Sequence, residues 1–141
     1  MQPIQPRDER ETPPLTVFRL RRVLAARQVD YLTAESGDTG IEWEGRVYWA
    51  GVNGEVVTIG ATWPGTLPVD KLDDLRQFIR DWHAGNYWPK LAYGMNDDGS
   101  LTVSGEVSAD WETGDADRQL DDMLSMSVAK IREAFREVEK L

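Results

Sequence analysis

The sequence predicts an α+β protein in which helices cover one face of a sheet that is largely antiparallel. Apolar residues recur at helical spacing in three segments, near the start, in the middle and at the end of the chain. The segments between them alternate apolar and polar residues at period two, and short turn sequences separate them. Strands joined by hairpins pair antiparallel, and the predicted order is α-β-β-β-α-β-β-α.

The first helix is expected to begin at a cap on Thr16 and to extend to about Gln28. Its apolar side consists of Val17, Leu20, Val23 and Leu24. A short strand is predicted over residues 30–35, followed by the turn-rich residues 36–40.

The next strand region contains four large apolar residues that alternate with polar or small ones: Ile41, Trp43, Val47 and Trp49. Glu44-Gly45 interrupts the alternation, and the sequence leaves open a turn or a bulge there. Asn53-Gly54 is the strongest hairpin signal in the chain, because these residues tolerate positive φ. The strand after it, residues 55–63, places on one face Val57, Ile59, Ala61 and Trp63.

The central helix follows, with Asp70 as the expected cap and Gly85 as the expected left-handed stop. Its apolar side consists of Leu72, Leu75, Phe78, Ile79 and Trp82. Trp88-Pro89 then favours an extended chain, because the residue before a proline avoids the helical region. A strand over residues 88–95 is therefore expected directly after the helix.

The last part of the chain predicts a hairpin and a long helix. The turn of the hairpin is residues 96–99, and its second strand is residues 100–107. After a loop at residues 111–114, the helix is expected to begin at a cap on Asp115. Its apolar stripe consists of Leu120, Met123, Leu124, Ser127, Ile131, Ala134, Phe135, Val138 and Leu141.

Composition limits the class of protein and its partners. The length of 141 residues predicts one domain, residues 15–141, and the four prolines within residues 1–14 predict a disordered leader. The chain has no cysteine, and it shows neither a signal peptide nor a long apolar run, so we expect a cytoplasmic protein. The net charge of −9 disfavours nucleic acid and an anionic membrane as partners.

The charges are distributed unevenly along the chain. Residues 97–122 contain nine acids and one base, Arg118, whereas the first helix is rich in arginine. Two interpretations remain open for the acidic segment. It is either ordinary solvated surface, as most charge runs are, or an acidic face that attracts a basic partner.

The residue types that catalysis needs are sparse. His83 is the only histidine, and its position in the last turn of the central helix indicates helix-end or turn packing better than a general base. The segment 96–99 lacks the spaced ligands of a calcium loop and is interpreted as a hairpin turn. No phosphate-binding or nucleophile motif is present. We therefore predict no catalytic residue, no metal site and no cofactor.

Several residues in order resemble the YbjN domain family. They are Trp63, Leu67-Pro68, Trp82, Trp88-Pro89-Lys90, Gly114 and the run 119–122. His83 departs from the pattern, which has Asn at that position. The resemblance implies a fold like that of type III secretion chaperones, with a curved antiparallel sheet against helices. It also implies a bacterial sensory-transduction regulator without an established catalytic residue or cofactor.

The leading functional hypothesis is a cytoplasmic, non-enzymatic regulator or chaperone-like adaptor that binds a protein and forms a homodimer. The candidate partner-binding residues are Trp82, Tyr87 and Trp88, which surround the end of the central helix. The alternatives are a small-ligand-binding domain or an enzyme with an aromatic-lined pocket, and a domain that modulates a partner through its acidic face.

Overall fold

The computed structural model describes residues 17–26, 31–54, 56–110 and 117–141. The elements are α1 (Val17–Ala26), β1 (Tyr31–Thr33), β2 (Thr39–Trp43), β3 (Arg46–Asn53), β4 (Val56–Thr62), a 3-10 turn (Val69–Lys71), α2 (Leu72–Gly85), β5 (Lys90–Met95), β6 (Leu101–Asp110) and α3 (Asp117–Val138). The predicted leader, the caps on Thr16 and Asp115 and the loop at 111–114 lie outside the described residues.

The six strands form one sheet in the order β1-β2-β3-β4-β6-β5, and all neighbours are antiparallel. The predicted α+β class is therefore confirmed. Four strands, rather than the predicted three, separate α1 from α2. The reason is that Glu44 and Gly45 form a two-residue hairpin turn, with φ of 50° and 79°, between the paired residues Trp43 and Arg46.

Two further hairpins, β3–β4 and β5–β6, lie at or within one residue of the predicted turns. The β3–β4 turn places Gly54 at φ 60°, one residue later than expected, because Asn53 pairs with Val56. The β5–β6 turn uses Gly99 at φ 86°. In that turn Asp98 accepts hydrogen bonds from the Ser100 hydroxyl (2.6 Å) and amide (2.9 Å). These bonds lower the pKa of the Asp98 carboxyl, the hydroxyl contributing most.

The core lies between one face of the sheet and the helices. α3 packs against β4 and β6, α2 packs against β5, and α1 packs against α3. The predicted β4 face of Val57, Ile59, Ala61 and Trp63 is buried. The predicted α3 stripe is buried from Leu120 to Val138, and Leu141 packs at its edge. Although α3 is 22 residues long, no helix in the described ranges is apolar enough to span a membrane.

Both ends of α2 differ from the prediction. The helix begins at Leu72, directly after the 3-10 turn that contains Asp70. Neither the 3-10 turn nor α2 has a side-chain hydrogen bond that caps its first residues. Gly85 is the last helical residue and not a left-handed stop. Asn86 ends the helix instead, because its backbone amide (2.8 Å) and its side-chain amide (3.1 Å) both donate to the carbonyl of Trp82.

Candidate functional site

The sheet has a second face, opposite the helices, and β3 directs large apolar side chains onto it. Val47 and Trp49 are 37% and 43% exposed, whereas Tyr48 and Ala50 between and after them are buried. The register explains this orientation. Buried Ile41 pairs with Tyr48, and paired residues point to the same side of a sheet, so Trp49 faces the other side. We call this side the open face.

A groove crosses the open face and has a volume of about 360 Å³. One row of paired residues traverses it, from Trp49 on β3 through Gly60 and Glu106 to Lys90 on β5. The floor of the groove is low because Gly60 in this row has no side chain and the paired residues Ala92 and Ser104 beside it have small ones. Three strand spacings separate Trp49 from Lys90, which gives the groove a width of about 14 Å.

Gly40 fixes the position of the Trp49 ring. The two residues are paired across β2 and β3, and a Cβ atom at Gly40 would lie 3.0 Å from the ring. The indole therefore lies flat over the glycine, which any larger residue would prevent. Trp49 is in this way held in place as one wall of the groove while much of its ring stays in solvent.

Tyr87, Trp88 and Lys90 form an aromatic corner at the other end of the groove. The two rings meet edge to face with centroids 4.8 Å apart. The Lys90 ammonium lies 4.4 Å from the Tyr87 centroid and 5.6 Å from that of Trp88. Tyr87 is 72% exposed, and Trp88 is half-buried against the core. Lys90 lines the groove as well, so the corner and the groove are continuous.

Trp82, the third predicted partner-binding residue, belongs to the core. It is only 7% exposed, and its Nε1 donates a 3.2 Å hydrogen bond to the carbonyl of Pro89. That bond joins the last turn of α2 to the start of β5. Trp82 therefore offers no surface to a partner, and of the three predicted residues only Tyr87 and Trp88 lie at the surface.

His83 has a structural role at the same joint. Its Nε2 accepts a 2.9 Å hydrogen bond from the backbone amide of Leu91. Since β5 pairs only with β6, the Leu91 amide points toward the free edge of the sheet, and the imidazole covers that edge. This is the turn-packing role that the sequence indicates, and it occupies the nitrogen that a general base would need.

Beyond His83, no described residue bonds the outer backbone edge of β5. The alternation of an antiparallel ladder directs the amides of Tyr93 and Met95 to the same side as that of Leu91. Tyr93 is 40% exposed and accepts a 2.9 Å hydrogen bond from Arg76 on α2, and Met95 is 59% exposed. The edge thus combines backbone donors with apolar side chains.

The acidic side chains of residues 97–122 that the structure describes do not form one face. Asp97 and Asp98 lie in the β5–β6 turn, whereas Asp110 ends the ten-residue strand β6, about 30 Å away. Asp121 and Asp122 lie in the first turns of α3. Within the part of the chain that the structure describes, no three acidic or histidine side chains form a cluster suited to a metal ion.

Comparison with known proteins agrees with this architecture. Residues 16–140 match the model of the YbjN family, described as "Putative bacterial sensory transduction regulator". The fold is similar to that of YbjN from E. coli, described as "a putative transcription regulator", with a TM-score of 0.77 and 12% sequence identity. The match covers 92% of this chain and 94% of that one, and at this identity it shows the fold alone. A search of curated proteins gave no match.

Proposed function

The chain belongs to the YbjN family, and we propose that it acts as a cytoplasmic regulator that binds a protein partner through the groove and the aromatic corner and does not catalyse a reaction. The observation that carries this proposal is the orientation of β3. Its Val47 and Trp49 side chains are partly exposed on the sheet face that the helices leave uncovered, beside a row of small residues.

The dimensions of the groove suit an extended segment of a partner. A width of about 14 Å accommodates about four residues of extended chain, at 3.3 Å per residue. Trp49 at one wall and Tyr87 beyond the other supply rigid aromatic anchors, which contribute strongly to protein interfaces. Lys90 and Glu106 are paired neighbours of opposite charge at the β5 side of the groove, and they would orient the polar groups of the segment.

The polar groups of the groove support a binding role over catalysis. The groove is lined by two charged side chains, Lys90 and Glu106, and by two hydroxyl groups, those of Thr62 and Ser104. No histidine is among the lining residues to act as a base toward these hydroxyl groups. The small-ligand alternative is favoured less, because a single aromatic side chain, Trp49, lines the groove. Small-molecule sites usually surround their ligand with apolar and aromatic residues.

We further propose that the chain forms a homodimer through the free edge of β5. Antiparallel pairing of two β5 strands would satisfy the outward amides of Tyr93 and Met95 and cover the Met95 side chain, which is 59% exposed. Exposed strand edges readily take such pairing unless a protein blocks them. Among the described residues, this edge is blocked at Leu91 alone, by His83.

Affinity capture from a native cell extract tests the partner-binding surface. Trp49→Ser and Tyr87→Ser are expected to lose the protein that the wild-type chain captures, while circular dichroism shows a retained fold. Val69→Ser is the matched control, since Val69 is 52% exposed but lies in the 3-10 turn before α2. Equal loss with all three variants, or retention by Trp49→Ser and Tyr87→Ser, would contradict the proposed surface.

Light scattering at micromolar concentrations tests the dimer separately. The wild-type chain is expected to have the mass of a dimer, and Met95→Lys that of a monomer, because a charge on the edge opposes strand pairing. Met126→Lys on α3, where Met126 is 39% exposed, should leave the mass unchanged. A wild-type chain that stays monomeric throughout this range would exclude the dimer but not the partner surface.

A further inference from the structure

We propose that a second site, apart from the groove, binds a phosphate-type oxyanion in the cavity between the β2–β3 turn and the C-terminal half of α3. The cavity has a volume of about 210 Å³. Three guanidinium groups line it, from Arg46 on β3 and from Arg132 and Arg136 on successive turns of α3. The Tyr48 side chain closes its inner end.

The Tyr48 hydroxyl is the first observation that indicates a missing ligand. The residue is fully buried, and among the described residues no group is placed to accept the proton of its hydroxyl. The Arg46 guanidinium approaches the hydroxyl oxygen, but it can only donate to it. Burial raises the pKa of Tyr48 against the opposing influence of Arg46 and Arg132, so the hydroxyl keeps its proton and can donate it. Guanidinium groups are donors only, and they cannot accept from it. An anion in the cavity would.

The charges around the cavity are the second observation. The Glu44 carboxylate forms an ion pair with Arg132, and that of Glu139 accepts a 3.4 Å hydrogen bond from the Trp63 indole. Among the described residues, neither Arg46 nor Arg136 forms an ion pair. Three cations therefore face two carboxylates, in a chain whose net charge is −9.

Arg46 is held in position for such a ligand. Its guanidinium carbon lies 5.2 Å from the centroid of Phe135, a fully buried residue of α3. Stacking on a fixed ring reduces the freedom that the side chain would otherwise lose on binding. A preorganised guanidinium and a hydroxyl donor together match the several acceptor oxygens of a tetrahedral oxyanion.

The size of the cavity limits the ligand to a small group. Pockets for drug-sized molecules usually have volumes of about 300–1,000 Å³. A volume of about 210 Å³ is below that range, and it suits a single phosphate group better than a nucleotide or a large metabolite. The chemistry indicated is thus a free phosphate ion or the phosphate group of a larger ligand that stays outside the cavity.

Titration of the full chain with inorganic phosphate, followed by amide NMR at constant ionic strength, tests this site. Saturable shifts centred on the Glu44–Arg46 turn are expected. Arg136→Gln should weaken binding roughly tenfold, and Tyr48→Phe should weaken it severalfold, because each removes a hydrogen bond to a charged ligand. Glu44→Gln should tighten binding, because it removes a carboxylate that competes for Arg132. Loss of the fold cannot cause such a gain.

Arg80→Gln is the matched control, since Arg80 is an exposed arginine on α2 that bonds only Gln77 among the described residues. It should leave phosphate affinity unchanged. Shifts that grow linearly without saturation, or a phosphate affinity that Arg136→Gln leaves unchanged, would overturn the proposal. Equal affinity for acetate would overturn the assignment to a phosphate-type ligand. Phenyl phosphate distinguishes the two sources of the ligand. If it binds as tightly as inorganic phosphate, the natural ligand is the phosphate group of a larger molecule, and if it binds more weakly, the natural ligand is the free phosphate ion.

Discussion

Truncation of Trp82 should cost far more stability than truncation of Tyr87, although the two residues are only five positions apart. Trp82 is 7% exposed. If about 230 Å² of its surface is buried on folding, the transfer free energy at 25 cal/mol per Å² is about 6 kcal/mol, which is an upper bound. Trp82→Ala is therefore expected to cost about 4 kcal/mol. Since whole domains are stable by only about 5–15 kcal/mol, this variant would be close to unfolding.

Trp82→Phe is the more informative substitution, because it retains most of the ring volume. It removes the indole donor of the 3.2 Å hydrogen bond and leaves the Pro89 carbonyl without that bond. The expected cost is about 2 kcal/mol, the usual penalty for such a buried group. Urea denaturation measures it: with a slope of about 2 kcal/mol per M, the midpoint falls by about 1 M.

Tyr87→Ala is the comparison in the same assay. Because Tyr87 is 72% exposed and its ring meets only Trp88 and Lys90 among the described residues, the variant should lose at most about 1 kcal/mol. An equal loss of stability in Tyr87→Ala and Trp82→Phe would refute the division of this joint into a core residue and a surface residue. A Trp82→Ala variant whose free energy of unfolding is less than about 1 kcal/mol below that of the wild type would refute it as well.

Three further outcomes are expected. His83→Ala should lower the free energy of unfolding by about 1 kcal/mol in urea denaturation and speed hydrogen exchange of the Leu91 amide. His83→Asn keeps an acceptor oxygen and should lower the free energy of unfolding less, so equal losses of stability in the two variants would argue against the bond. Gly40→Ala should displace the Trp49 ring and shift its fluorescence to longer wavelength, because the added Cβ would lie 3.0 Å from the ring. The Trp49 signal is obtained by subtracting the spectrum of Trp49→Phe, and a Trp49 spectrum that Gly40→Ala leaves unchanged would contradict that packing. The folded-state pKa of Asp98 is lowered, so its contribution to stability is present above the unfolded-state pKa of about 3.8 and is lost as pH falls through the folded-state pKa. The melting temperature of Asp98→Asn should therefore decline less steeply with acid than that of the wild type, and identical declines would contradict this contribution.

Much of the fold could be predicted because helical spacing determines which side of a helix is buried. Steps of three and four residues alone predict the stripe of α3, and the structure buries it. The caps of α2 were harder, because several residues at each end could serve. At the C-terminal end Gly85 and Asn86 are both suitable, and the structure ends the helix at Asn86, whose backbone is extended and whose side chain bonds the Trp82 carbonyl.

Period two was less informative in β3, because it identifies alternate residues without showing which set faces the core. The alternation groups Val47 with Trp49 without saying which side of the strand is inside, and in the structure Tyr48 and Ala50 are the buried set. The two-residue turn at Glu44-Gly45 decides the orientation through the register that it imposes on β2 and β3. A strand that places its larger apolar residues in solvent goes against folding preference, and such conflicts are concentrated at functional sites.

The arginine cavity could not be predicted because its parts are distant in sequence. Arg46 precedes Arg132 by 86 positions, and only the packing of α3 across the sheet brings both against Tyr48. One signal was available: Arg132 and Arg136 are four residues apart, so they share a side of α3 next to its apolar stripe. In a chain with a net charge of −9, two adjacent arginines beside the core suggest an acidic neighbour or an anion. Glu44 occupies one of them, which leaves the other to the ligand.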